Sequence, residues 1–208
     1  MDIDWDNTSI KKPSFLGNKH FANYSLEEIR SFIDWTPFFS TWMLKGKYPQ
    51  IFENQLIGEE AKKLFNDANE MLDDIITNKR LSANASIGFY KANSVDDDTI
   101  EVLVDGEVQA SFNNLRQQGK KGKNLPNLSL TDFIAPKGVK EDYIGFFAVT
   151  AGIGIEKMIE QYEADHDDYK SIMVKALADR LAEAFAELMH HQVRKEYWGY
   201  SPEEVFDN

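Results

Sequence analysis

The sequence contains no cysteine, which excludes disulfide bonds, thiolate metal sites and cysteine nucleophiles. The absence of disulfides agrees with a reducing compartment, and we expect the protein to be cytoplasmic. No run of about 18 apolar residues occurs, so the sequence predicts no membrane-spanning helix. The first residues, MDIDWDNTSIKK, lack the basic and apolar segments of a signal peptide.

Positive charge is scarce, with 23 Lys and Arg residues against 35 Asp and Glu residues and a net charge of −12. Nucleic acids and anionic membranes attract a positive protein surface, so neither is expected as a partner. The chain is 42% hydrophobic over 208 residues. This composition predicts a globular domain with a proper core.

Signatures of independent catalysis are also missing. Gly152 and Gly154 do not form a nucleotide-binding glycine motif. Asp96, Asp97 and Asp98 lack the spacing of a calcium loop, so a solvated turn is expected there. His190 and His191 are adjacent, point to different sides of a helix and cannot share a metal. We therefore predict no catalytic residue and no metal site.

The strongest pattern is one long helix between His166 and Tyr200. Its segment 169–194 has no Gly and no Pro and is rich in strong helix formers. An apolar stripe typical of a helix that faces a core runs along it. The stripe includes Met173, Leu177, Leu181, Phe185 and Leu188.

A charged row lies beside this stripe, because its members follow each other at intervals of four residues. The row consists of Lys175, Asp179, Glu183, Glu187 and His191. Two interpretations are open. The row is a solvated face, or Asp179 and Glu183 face a cationic ligand or a partner's imidazole.

An aromatic corner occupies residues 33–42, where a single acid, Asp34, precedes Trp35, Thr36 and Pro37. Pro37 biases Thr36 away from helical geometry, so we expect an element to end or a turn to begin at Asp34. Asp34 caps nearby backbone N–H groups, or it faces a ligand at the edge of an aromatic pocket.

The remaining patterns alternate between helix and strand. Ser25 caps a short helix, and the apolar period predicts a helix over 58–79. Strands are predicted at 85–90, at 99–104 and 107–112 around the Asp105-Gly106 turn, and at 143–150. Because the run at 143–150 is apolar on both faces, we expect that strand to be central.

This order of elements predicts an α+β fold. A twisted, largely antiparallel sheet is flanked by helices, one of them the long C-terminal helix. One basic patch stands out on the acidic chain, made by Arg116 with Lys120, Lys121 and Lys123. It is a solvated loop or a contact for an acidic partner.

Three segments then point to one family. They are IDWTPFF, the pair LSLTDFIAP and DYIGFFAVTAG, and the pair HDDYKSIMVKALADRLAEAFAE and VRKEYWGY. Over residues 26–202 the chain resembles the activation domain of cobalamin-dependent methionine synthase. The resemblance assigns residues 25–208 to that domain and leaves residues 1–24 as an N-terminal arm.

The resemblance implies a function. In this family the enzyme transfers a methyl group from methyltetrahydrofolate to homocysteine through cobalamin, and the cobalt is occasionally oxidised. The activation domain then docks on the cobalamin-binding module and presents S-adenosylmethionine, while flavodoxin or a similar reductase supplies an electron. The expected fold agrees with the α+β pattern.

The resemblance also implies the site. The family's S-adenosylmethionine-binding acids fall on Asp34 and Glu183, and Trp35, Phe38 and Phe39 are expected to supply aromatic faces. A sulfonium cation that carries an ammonium group favours carboxylates and aromatic rings. Asp179 is expected at the interface with the cobalamin-binding module.

One family feature does not occur in this sequence. In the family a later segment, Arg-Pro-x-x-Gly-Tyr-Pro-Ala-Cys-Pro, wraps the ligand, and its Arg binds the methionine carboxylate. Two hypotheses follow for this chain. It is an activation module that binds S-adenosylmethionine, or it is a docking module that binds the ligand weakly or not at all. A natural short protein, one piece of a split enzyme and a shortened chain all remain open.

Overall fold

The computed structural model describes residues 3–123 and 125–205. It has the predicted α+β architecture, with a five-stranded antiparallel sheet and flanking helices. The strands are β1 Gly17–Phe21, β2 Ser82–Ser94, β3 Thr99–Val104, β4 Glu107–Asn113 and β5 Asp142–Ile153. The helices are α1 Leu26–Arg30, α2 Trp35–Thr41, α3 Gly58–Thr77, α4 Ile155–Ala164 and α5 Asp168–Gln192.

Short turns complete the chain. Two 3₁₀ turns occur at Gln50–Glu53 and Leu130–Phe133, and a π-helical turn at Val193–Tyr197 follows α5 directly. Ser25 caps α1 by accepting a hydrogen bond from the N–H of Glu28 at 3.2 Å, as its spacing predicts.

The strand order is β1-β2-β3-β4, and β5 also pairs with β2. β3 and β4 form the predicted hairpin around Asp105 and Gly106, whose φ angles of 52° and 88° suit a two-residue turn. β1 lies in the segment expected to be an extended arm, for which the sequence predicts no strand. Its sequence, GNKHF, carries no strand pattern, so the pairing with β2 defines this strand.

The expectation of a central β5 is wrong. The central strand is β2, which pairs with three other strands. β5 leaves Phe147 and Ile153 42% and 44% exposed. An apolar run therefore does not identify a central strand here, because a strand with few neighbours keeps apolar side chains at the surface.

The chain forms two compact units. The hairpin unit consists of residues 3–19, 87–147 and 192–205 within the described ranges, and it contains β3 and β4. The helical unit consists of residues 20–86 and 148–191. Its core includes the predicted stripe of α5, with Met173, Leu177, Leu181 and Phe185 at most 1% exposed.

Arg116 is an internal anchor of the hairpin unit. Its guanidinium forms a bidentate ion pair with Asp132, at 2.8 and 3.0 Å, and also donates to the carbonyl of Asn127. This contact holds the pKa of the Asp132 carboxyl down at about 2, with the Ser129 N–H adding to the effect. Arg116 is thus engaged within the fold, whereas Lys120, Lys121 and Lys123 are exposed and Lys121 donates to the side chain of Gln117.

Within the described ranges, none of the helices combines the length and the low polarity that a bilayer crossing requires.

Candidate functional site

Asp34 marks the start of α2. It has extended backbone geometry, and its Oδ1 accepts a hydrogen bond from the N–H of Thr36 at 2.9 Å. This is the capping interpretation of the sequence. Asp34 is nevertheless exposed, and no group in the described ranges donates to its Oδ2. One oxygen holds the helix, and the other is available to a ligand.

The Trp-Thr-Pro corner is the first turn of α2 and not a break before it. Thr36 is helical and Pro37 occupies the third helical position. Proline is tolerated there because the first N–H groups of a helix have no intrahelical acceptor. The expected bias of Thr36 away from the helix is overridden by the cap at Asp34 and by the burial of the rings that follow.

Trp35 and Phe38 pack inside an aromatic cluster of the helical unit. Trp35 is 7% exposed and Phe38 is fully buried. The Trp35 ring lies edge-on to Phe38 at 5.3 Å and to Phe65 at 4.7 Å. Such pairs contribute roughly 0.5–1.5 kcal/mol beyond area burial. In this structure the two rings support the turn that presents Asp34, and their predicted contact with a ligand stays a prediction.

Glu183 lies on the exposed side of α5, and Phe185, two residues later, is fully buried on the inner side. No described residue hydrogen-bonds or forms an ion pair with its carboxylate. The far face of α5 is closely packed, because Gly152 of β5 lies against Ala178. α5 is therefore fixed on its inner side, and Glu183 is held outward without a partner.

Asp179, one turn before Glu183, is 67% exposed and pairs with the guanidinium of Arg180 at 2.6 Å. Lys175, at the start of the row, approaches Glu163 at 3.6 Å. Thus the first two members of the charged row form ion pairs. Glu183 and Glu187 form none with the described part of the chain. Whether Asp179 meets a partner module stays a prediction.

A ring contact links the segment before α2 to the end of α5. The ring of Phe32, two residues before Asp34, lies 5.8 Å from the imidazole of His191, the last member of the row. Glu183 precedes His191 by two helical turns, which is ~12 Å along the axis. The aromatic corner thus lies at the C-terminal end of the acidic row. No residue spacing predicts this contact, because Phe32 and His191 lie far apart along the chain.

The site residues fit a cationic ligand. Asp34 has an unused carboxylate oxygen, Glu183 has an unpaired carboxylate, and both are exposed in the same unit. Carboxylates without partners favour a positive group, and the ring contact between Phe32 and His191 places an apolar surface at one end. Among the described residues, no three His, Asp or Glu side chains are grouped closely enough to hold a metal ion.

Comparison with known proteins decides the family. The family model described as the vitamin B12 dependent methionine synthase activation domain matches residues 25–208. The chain belongs to this family.

A solved structure resembles the whole of this activation domain. It is a crystal structure of the MetH reactivation domain bound to AdoHcy, with 47% sequence identity and a TM-score of 0.93. The match covers 99% of this chain and 64% of that one, so this activation domain spans less than two thirds of the length of its relative. At this identity, the two domains share the family as well as the fold.

Proposed function

We propose that this activation domain binds S-adenosylmethionine and supports the reductive methylation of cobalamin in methionine synthase. The single observation that carries the proposal is the pair of open carboxylates, Asp34 and Glu183, on a domain 47% identical to one that holds AdoHcy. That likeness favours ligand binding over the docking-only alternative.

Charge supports this ligand. S-adenosylmethionine carries a sulfonium and an ammonium group, and each positive group is stabilised by a nearby carboxylate. Asp34 is held by its own helix cap, so its free oxygen has a defined position before the ligand binds. Glu183 projects from a helix whose inner face is packed. The Asp34 carboxylate is therefore preorganised, whereas Glu183 is fixed at its backbone and loses side-chain rotamer freedom when it binds.

The proposal includes a partner that carries the cobalamin. The cobalamin-binding module of methionine synthase supplies the methyl acceptor, after a flavodoxin-like reductase provides one electron. Asp179, exposed beside Glu183, is proposed to contact that module. We further propose that residues 25–208 form the activation module, that residues 1–24 form an arm, and that the protein acts in the cytoplasm.

Titration calorimetry with two ligands tests the proposal. S-adenosylhomocysteine keeps the ammonium group and lacks the sulfonium charge. A carboxylate that faces the sulfur therefore contributes more to the affinity for S-adenosylmethionine than to the affinity for S-adenosylhomocysteine. We expect Asp34→Asn and Glu183→Gln each to weaken the binding of S-adenosylmethionine at least tenfold, which is a loss of about 1.4 kcal/mol in binding free energy. The substitution that removes the carboxylate facing the sulfur should leave the affinity for S-adenosylhomocysteine unchanged.

Glu160→Gln, an exposed change on α4, is the matched control and should bind both ligands normally. Absence of heat with either ligand for the wild-type chain would support the docking-only alternative. Equal losses for all three variants would assign the effect to general electrostatics and would contradict the site.

A further inference from the structure

A cavity lies in the helical unit, among α3, α4 and α5. It has a volume of about 470 Å³ and shares no lining residue with the Asp34 and Glu183 site. Its floor is made by the thioether side chains of Met71 and Met173, which are 9% and 1% exposed. Methionine side chains adapt to the shape of an apolar ligand, so this floor suits an alkyl chain.

One wall of this cavity is acidic. Asp67, Glu70 and Asp74 lie on α3 at intervals of three and four residues, which places them on one face of the helix. Asp74 is engaged by Arg80 at 2.5 Å, and Asp67 accepts the Tyr169 hydroxyl at 2.7 Å. Glu70 is exposed and makes no hydrogen bond or ion pair with the described residues.

The cations at the rim are already paired. Arg80 pairs with Asp74, and Lys170 pairs with Asp167 at 3.0 Å. Neither is therefore free to bind an anion without the loss of an existing pair. Among the described residues, the carboxylates at this cavity without a cationic partner are those of Glu70 and of Asp67, whose hydrogen bond comes from the neutral Tyr169 hydroxyl.

The opposite wall is aromatic. Tyr162 and Tyr169 line the cavity, and the Trp42 ring packs behind Tyr169 at 5.0 Å. Burial raises the pKa of both tyrosine hydroxyls, so these rings remain neutral at physiological pH. The ammonium of Lys170 lies 6.0 Å from the centre of the Tyr162 ring. This wall can therefore accommodate a positive group.

We propose that this cavity binds a small organic cation with an alkyl stem, of the alkylguanidinium or alkylammonium class. The charged head contacts Glu70 and the second oxygen of Asp67, with a tyrosine face beside it. The stem lies on Met71 and Met173. This site lies outside the proposed S-adenosylmethionine site, and its existence does not depend on that function.

The test is a titration of the full chain with butylguanidinium, followed by NMR of the methionine methyl groups. Butylurea, a neutral molecule of nearly the same shape, is titrated in parallel at constant ionic strength. We expect the Met71 and Met173 signals to shift to saturation with butylguanidinium and to remain unchanged with butylurea. Equal shifts with both ligands would overturn the role of charge.

Glu70→Gln is the decisive variant, and Glu59→Gln on the same helix is its matched control. Glu59 is exposed, pairs with Lys62 and lies outside the cavity. We expect Glu70→Gln to weaken the binding of butylguanidinium at least fivefold and Glu59→Gln to leave that binding unchanged. The same loss in both variants would reduce the binding to general attraction by an acidic chain and overturn the proposal.

A blocked tripeptide with a central arginine distinguishes two sources of the cation. Binding of the tripeptide at least as tight as butylguanidinium would assign the head group to a protein side chain. Much weaker binding would assign it to a free amine or guanidine. A failure of any of these ligands to shift the two methionine signals would overturn the site itself, whatever the result with S-adenosylmethionine.

Discussion

The ring of Phe32 lies against the imidazole of His191, with centroids 5.8 Å apart and planes inclined by 54°. Phe32 follows α1 and His191 ends the acidic row of α5. This contact brings the turn that carries Asp34 to the helix that carries Glu183. That Asp34 and Glu183 contribute to one site stays a prediction, since most of the chain separates them in sequence and this contact involves neither acid directly.

The two roles of Asp34 can be separated by substitution. Asp34→Ala removes both the cap and the charge, and loss of a cap costs about 1 kcal/mol. Asp34→Ser retains a good capping oxygen and removes the charge. We expect Asp34→Ala to lower the melting temperature and Asp34→Ser to leave it nearly unchanged. Both substitutions should weaken the binding of S-adenosylmethionine, as measured by calorimetry.

Normal binding by Asp34→Ser would contradict the ligand role and leave Asp34 as a helix cap alone. Ser25→Ala provides a control, since it removes a cap from α1 without a change of charge. It should lower stability and leave the intrinsic affinity for the ligand intact.

Phe38 should act on stability before it acts on binding. Its ring is fully buried and contacts Trp35 and Phe39. Removal of a buried phenylalanine ring costs about 3–5 kcal/mol, so Phe38→Ala should be strongly destabilised in urea denaturation. Phe38→Leu, which retains most of the volume, should fold and bind S-adenosylmethionine with near-normal affinity. Lost binding in a stable Phe38→Leu protein would support a direct ring contact with the ligand.

Gly152 is required where β5 passes α5. Its φ is +105°, and an added Cβ would lie 3.1 Å from the Cβ of Ala178. Gly152→Ala should therefore destabilise the protein by about 1–3 kcal/mol through backbone strain and overpacking together. Gly138→Ala is the control for strain alone, because its φ is +85° and no atom lies within 4 Å of an added Cβ. Similar melting temperatures for the two variants would exclude the steric contribution.

The Asp132 and Arg116 pair predicts a pH dependence. The carboxyl pKa is about 2 in the folded protein, chiefly through the Arg116 hydrogen bonds, and about 3.9 when unfolded. A depressed folded pKa stabilises the fold above the unfolded value, and this contribution is lost as the pH falls towards 2. We expect Asp132→Asn to lower the unfolding free energy by about 1–2 kcal/mol at neutral pH.

The difference between Asp132→Asn and wild type should narrow below pH 4, measured by urea denaturation at successive pH values. A difference that is constant with pH would indicate that packing, and not the ionised carboxylate, accounts for the effect. Glu59→Gln, at an exposed and solvent-screened pair with Lys62, should change stability much less than Asp132→Asn at every pH.

Local patterns predicted much of this fold. The cap at Ser25, the helix α3, the hairpin around Asp105 and Gly106 and the long α5 are all as expected. Each depends on interactions between residues close in sequence, such as a cap, a 3.6-residue period or a two-residue turn. The family, too, is recognisable from the sequence, and its model matches residues 25–208.

Long-range contacts decided the rest. The segment GNKHF forms β1 because it pairs with β2. The predicted central position of β5 is occupied by β2, which pairs with three strands. Arg116 appears as a surface charge in the sequence, yet Asp132 holds it in the fold. Backbone hydrogen bonds in sheets and bidentate ion pairs join residues of any separation, so no local pattern encodes the choice of partner.

The sequence alone determined the chemistry available to this protein: carboxylates on a helix, an acid before an aromatic turn, and no cysteine. Only the tertiary structure decided which carboxylates are free. It used one oxygen of Asp34 as a cap, paired Asp179 with Arg180, and left Glu183 open. The reason is geometric, since a side chain is occupied or available according to the groups that folding brings within hydrogen-bond distance.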